Sequence, residues 1–322
     1  MMYRTLGRTG LSVSVLGMGT GGHDPLGYKS GRDVGDMITL LYRAFDLGIN
    51  LFDTSPGYGQ GRSERILGKA LRDLPRDELL VSTKIPLAGS TGGHEPRLMM
   101  PSEVGPAVDE SLRRLKLDCV DIMLIAVADQ PENYDVVVSD LIPELVKQRE
   151  HGKIRFIGSS EQTRTDGSHS WLRRLLPLDL VDVAMVGHNI INQSARQTVF
   201  PICAAQNLGV LNIFTVRNLF WNPPRLREVI DELVVGGLLA EDAESADDPL
   251  GWLVEEGGCD SLVEAAYRYA AYTEPVSAVM CGTIEVDELE ENIPSTGKGP
   301  LPSAALSRLY RTFGHIDEAI GN

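Results

Sequence analysis

The sequence is poor in cysteine, in positive charge and in long apolar runs, and each shortage argues against a class of function. Its four cysteines, Cys119, Cys203, Cys259 and Cys281, stand far apart and form no C-x-x-C pair. A thiolate metal site or a dithiol redox centre therefore has no framework, and a reducing compartment suits such scattered thiols. Cys119 and Cys281 sit in apolar runs and read as small core hydrophobes. Lys and Arg number 30 against 45 Asp and Glu, a formal net charge of −15. Nucleic acid is not an expected partner, because phosphate backbones are held by a basic face. No stretch reaches the roughly 20 apolar residues of a membrane span. The polar, basic start lacks the apolar segment of a signal peptide. The expected setting is the cytoplasm, and the expected partner is a small molecule.

What is present is an alternation of short β-rich runs with amphipathic helical runs across 322 residues. The spacing predicts strands over residues 13–16, 50–52, 79–83, 120–125, 154–157, 181–186, 210–214 and 276–281. Several are almost continuously apolar, as parallel strands buried on both faces are. Helical patterns fall at 34–47, 63–74, 102–115, 134–151, 170–175, 194–207 and 261–271, with Ser102 a candidate N-cap. Eight strands with crossover helices point to an α/β fold, a closed (β/α)8 TIM barrel in one domain over residues 1–322. An open doubly wound sheet is the physical alternative. A β-hairpin turning at residues 8–10 precedes the first strand. An extra helix (225–235), an acidic loop (241–258) and a C-terminal helix (304–320) complete the expected elements.

In a parallel barrel the chemistry lies at the C-terminal ends of the strands. Asp53 follows the second strand, Tyr58 lies five residues on, and Lys84 ends the third. Taken singly they read as a helix cap, a loop aromatic and a surface charge. At converging strand ends they make a set. A buried ammonium needs a carboxylate, and an ammonium near a phenol is expected to lower its pKa and fit it for general acid catalysis.

The stretches FDTSPGYGQGRSERILGKAL and VSTK that carry these residues resemble the aldo-keto reductases. So do YRTLGRTGLSVSVLGMGTGG, HGKIRFIGSS and GTIEVDELEEN, in the same order over nearly the whole chain. The resemblance implies a nicotinamide-dependent oxidoreductase with the cofactor across the barrel mouth. Tyr58 would be the proton donor or acceptor, Lys84 would tune it, and Asp53 would pair with Lys84. Thr20 and Asp53 would border the nicotinamide ribose, and Ser160 would touch the carboxamide. Gly282, Thr283, Glu291 and Asn292 would hold the adenosine end. Arg217 is the expected phosphate ligand, with Phe214, Phe220 and Trp221 as candidate walls of the cavity.

The pattern breaks at three places. The family's catalytic histidine would fall at Ala126, or at Ile125 in a slipped register, and no histidine lies on that strand. Glu161 stands where the family's carboxamide-binding Asn is usual, and Met185 where its Gln is. Losing a donor to the substrate carbonyl costs on the order of 10²–10³ in rate, so His23 and His188 are candidate substitutes. The acidic run from Glu285 to Glu288 would repel a 2′-phosphate and could accept from a free ribose hydroxyl, so NAD is expected over NADP. The reading is hydride transfer to or from a small carbonyl or alcohol, sugar-like or cyclic, with Tyr58 as acid–base. The alternatives are enone reduction, redox-neutral isomerisation or elimination with a retained cofactor, and a nucleotide-binding barrel without activity.

Overall fold

A computed structural model of the chain describes residues 1–89, 97–127, 131–161, 166–240 and 249–317. Its strands are β1 (Tyr3–Thr5), β2 (Ser12–Ser14), β3 (Leu16–Gly19), β4 (Leu51–Asp53), β5 (Leu80–Gly89), β6 (Arg97–Leu98), β7 (Val120–Val127), β8 (Ile154–Ser160), β9 (Val183–Gly187), β10 (Gly209–Ile213) and β11 (Ala278–Cys281). Eight of them pair in parallel in the order β4-β3-β11-β10-β9-β8-β7-β5, and β4 also pairs with β5, closing the ring. This is the expected TIM barrel with helices around it. The antiparallel pair β1–β2 is the expected hairpin, joined through a turn in which Gly10 has φ 70. The antiparallel extension of β5 by β6 was not legible as a strand.

Side chains alternate between two layers along every strand. Leu51, Leu80, Ile122, Leu124, Val183, Met185, Leu211 and Ala278 fill the barrel interior. Phe52, Val81, Met123, Ile125, Ala184 and Val186 face outward into the core beneath the helices. Asp53 is two residues past Leu51, and Lys84 four past Leu80, so both continue the inner row and emerge at its upper rim. A further cluster lies under the helices Pro223–Val235, Gly251–Gly257 and Ser303–Phe313.

Several boundaries depart from the expectation. The run at 13–16 divides: Val13 belongs to β2, and the first barrel strand begins at Leu16. Ser102 is not the cap of its helix, which starts at Pro101, with Glu103 accepting from the Met100 N–H at 2.8 Å. The helix expected at 134–151 contains a wide turn over Val137–Leu141, just before Pro143. Proline has no N–H and its ring clashes with the carbonyl four residues back, so the ladder must loosen there. Pro201 likewise divides 194–207 into Ala195–Thr198 and Phe200–Ala205. Cys119 is partly exposed, against the core placement expected, whereas Cys281 is buried. Of the acidic loop, residues 241–248 lie outside the described residues, and Gly251–Gly257 is helical. The C-terminal helix ends at Phe313, and residues 318–320 are outside the described residues.

Candidate active site

The register brings the strand-end residues into one place. Asp53 on β4 stands beside Gly19 on β3 and Ser82 on β5. Ser82 Oγ donates to Asp53 Oδ1 at 2.7 Å, and Lys84 Nζ donates to Asp53 Oδ2 at 2.6 Å and to the Thr54 carbonyl at 3.0 Å. Both charged side chains are buried. An ion pair this deep persists only because its remaining valences are satisfied. The Ser82 and Thr54 contacts do that.

Tyr58 reaches this pair from the loop after β4. Lys84 Nζ lies 4.9 Å from the centre of its ring. The ring also rests on Gly21 in the loop after β3. A Cβ added at Gly21 would come within 2.5 Å of Tyr58 Cζ, so only glycine leaves room for the phenol in this pose. Burial raises the Tyr58 phenol above its ordinary value, Lys84 offsets part of that, and Asp53 adds to it. The expected lowering by Lys84 is thus outweighed. Burial also opposes the Lys84 ammonium, but Asp53 and Tyr58 more than compensate, and its pKa is raised. The result is a charged lysine beside a phenol that keeps its proton through neutral pH.

Thr20 is fully enclosed at the end of β3, its N–H donating to the Asp53 carbonyl at 2.8 Å. Among the described residues, Thr20 Oγ1 and Thr54 Oγ1 are buried hydroxyls without a hydrogen-bond partner. Buried hydroxyls are seldom left so, and two of them flanking Asp53 fit the hydroxyls of a bound ribose.

Two of the three departures share one row. Ala126 on β7 pairs with Ser160 on β8, which pairs with Met185 on β9. Ala126 is partly exposed at the rim, Ser160 is buried, and Met185 is packed inside the barrel among apolar neighbours. Met185 is therefore core, with no polar group to offer a carboxamide. Glu161 does not face the barrel mouth as a carboxamide ligand would. Its Oε1 accepts from the Gly187 N–H at 2.6 Å, and its Oε2 lies 2.7 Å from His169 Nδ1.

Neither candidate histidine takes the place of the missing one. His188 is fully buried between the rings of Phe200 and Tyr269, each 5.1 Å away, and burial pushes its pKa down to about 3. It is a neutral core residue. His23 is exposed in the loop after β3 and makes no hydrogen bond to Asp53, Tyr58 or Lys84. Among the described residues, the histidine that does line a cavity at the mouth is His169, which no sequence spacing singled out. With it are Gly167, Gly187, Asn189, Asn192, Ser194, Phe214 and Arg217. The Arg217 guanidinium lies 4.1 Å over the Phe214 ring. Of the other aromatics, Phe220 is buried and Trp221 is exposed.

At the expected adenosine end, Gly282 and Thr283 follow β11 and lead into the helix Val286–Ser295. Thr283 Oγ1 donates to Glu288 Oε2 at 2.5 Å, and Glu285 pairs with Arg32 from the loop after β3. Asn292 turns inward, its Nδ2 3.6 Å from Cys281 Sγ, while Glu291 is exposed.

Residues 15–311 match the Aldo/keto reductase family. The chain belongs to that family. Membership makes it an oxidoreductase of the NAD(P)-dependent type that acts on carbonyls. An L-galactose dehydrogenase of Arabidopsis thaliana is 31% identical over 298 residues, 90% of this chain and 86% of that protein. Among solved structures, the aldo-keto reductase AKR11C1 from Bacillus halodurans in its holo form superposes with a TM-score of 0.72. It is 23% identical, with 97% of this chain and 96% of the other covered.

Proposed function

We propose that this aldo-keto reductase moves hydride between NAD and a small sugar-like or cyclic carbonyl or alcohol, with Tyr58 as the acid–base group. The observation that carries this is the buried Asp53–Lys84 pair held against the Tyr58 ring. When bound, the nicotinamide supplies or accepts the hydride. Tyr58 gives its phenolic proton to the substrate oxygen in reduction and takes it back in oxidation. Lys84 keeps its charge beside the phenol and steadies the phenolate that forms, and Asp53 holds Lys84 in place. Thr20, Thr54 and Asp53 would receive the ribose, Ser160 the carboxamide, and Phe214 and Arg217 would meet the cofactor where they line the mouth. Gly282, Thr283, Glu291 and Asn292 would hold its adenosine end.

With Ala126 at the rim, the family's histidine position offers no imidazole to orient the carbonyl, and a substrate held by its own hydroxyls suits such a site. A polyhydroxylated ring is such a substrate, and the likeness to an L-galactose dehydrogenase supports the same class. The preference for NAD rests on Glu285 and Glu288, carboxylates where a 2′-phosphate would need cations. Titrating the protein with NADH and with NADPH, followed by nicotinamide fluorescence, tests this reading. At least about tenfold tighter NADH binding, some 1.4 kcal/mol, is the expected result. Equal affinities would remove the preference, and binding of neither would remove the proposal.

A further inference from the structure

The hydride site leaves a second group of buried polar side chains unused. Glu161 follows β8, His169 stands in the loop beyond it, and Ser194 lies in the loop after β9. All three are buried. His169 Nδ1 lies 2.7 Å from Glu161 Oε2, and His169 Nε2 lies 2.9 Å from Ser194 Oγ. The other Glu161 oxygen is fixed by the Gly187 N–H at 2.6 Å. The order hydroxyl, imidazole, carboxylate is that of a nucleophilic relay, recognised by geometry and not by sequence position. His169 and Ser194 both line the cavity at the barrel mouth.

We propose that Ser194, His169 and Glu161 form a second catalytic centre, a hydrolytic one for small unhindered esters. Ser194 Oγ bonds to the acyl carbon as its proton passes to His169 Nε2. The acyl–oxygen bond then breaks, and the leaving alkoxide takes that proton and departs as the alcohol. Water repeats the sequence, giving the carboxylic acid and restoring Ser194. No electrons are exchanged with an outside partner. Glu161 is a positioning residue: it holds the Nδ1–H tautomer and balances the imidazolium.

Ser194 Oγ is also 2.8 Å from the Gly167 carbonyl. Its single proton serves one acceptor at a time. With neutral His169 the hydroxyl points to Nε2 and is primed for attack. With the imidazolium it receives from Nε2 and turns to Gly167.

The inference does not rest on the hydride reading, and its test contains no nicotinamide. Purified protein is given 4-nitrophenyl acetate, and 4-nitrophenolate release is compared with that of Ser194→Ala and His169→Gln. The expected result is a rate at least about 100-fold above both variants, as loss of a relay member brings. Covalent labelling of the wild-type chain by a fluorophosphonate, located by mass spectrometry, decides the matter even if a variant fails to fold. The label is expected on Ser194. Turnover equal in Ser194→Ala and wild type, or a wild-type chain unlabelled at Ser194, overturns the proposal.

Discussion

Lys84 Nζ and Asp53 Oδ2 meet at 2.6 Å where both side chains are under a tenth exposed. Each charge is there because of the other. Replacing Asp53 with Ala strands the ammonium in a low-dielectric site, and removing one member of such a pair costs about 3 to 5 kcal/mol. The loss is expected in urea denaturation. Asp53→Asn, which keeps a polar partner for Lys84 and Ser82, is expected to lose less. Equal stability of Asp53→Ala and wild type would mean that the pair is not buried as described.

The pH dependence of stability follows from the same residues. Lys84 and Tyr58 both have folded pKa values above their ordinary 10.5 and 10.0. A group whose folded pKa is raised binds its proton more tightly in the folded state. Its stabilising contribution is complete below the ordinary value and fades as pH climbs through the folded one. Thermal unfolding is therefore expected to show no loss from these two groups across neutral pH and a decline above about pH 10. For catalysis, carbonyl reduction is expected to stay level through the neutral range, since Tyr58 remains protonated. A tyrosine-dependent fall in reduction rate near pH 7 would contradict a raised phenol.

Gly21 supplies a sharper geometric test. A methyl group there would sit 2.5 Å from Tyr58 Cζ, with two more ring atoms within 3 Å. Tyr58 stands on a surface loop, so it can yield without unfolding the barrel. Gly21 is buried, so Gly21→Ala overpacks the site and is expected to cost about 1 to 3 kcal/mol in urea denaturation while leaving the barrel folded. Its kcat is expected to fall about 10- to 100-fold, because misplacement by an ångström can cost that much. Full activity in Gly21→Ala would detach Tyr58 from the pose described.

Much of this was legible in the sequence, and the exceptions have physical causes. The apolar runs around Ile122–Ile125 and Val183–Val186 marked strands because a two-faced parallel strand cannot be anything but apolar. The same alternation ran unbroken through Val13 and Val15, so the division between hairpin and barrel was hidden. Asp53 and Lys84 were found because strand ends locate them locally. Lys84 lowers the Tyr58 phenol as the sequence implies, but burial outweighs it, a contest settled only in three dimensions. His188 looked available because it follows a strand, but its fate was fixed by Phe200 and Tyr269, which come from distant segments. The contacts among Glu161, His169 and Ser194 had no signal at all: two separate loops supply them, and no spacing along the chain encodes their meeting.

The most direct test of the central claim is the rate of hydride transfer in Tyr58→Phe, with NADH and a range of small sugar-like carbonyls. Removing a general acid costs about 10²–10⁴ in rate. The phenylalanine keeps the ring on Gly21 and removes only the proton. The expected result is a fall in kcat of at least about 100-fold, with NADH binding preserved. Turnover by Tyr58→Phe at the wild-type rate would contradict the assignment of Tyr58 as the acid–base group.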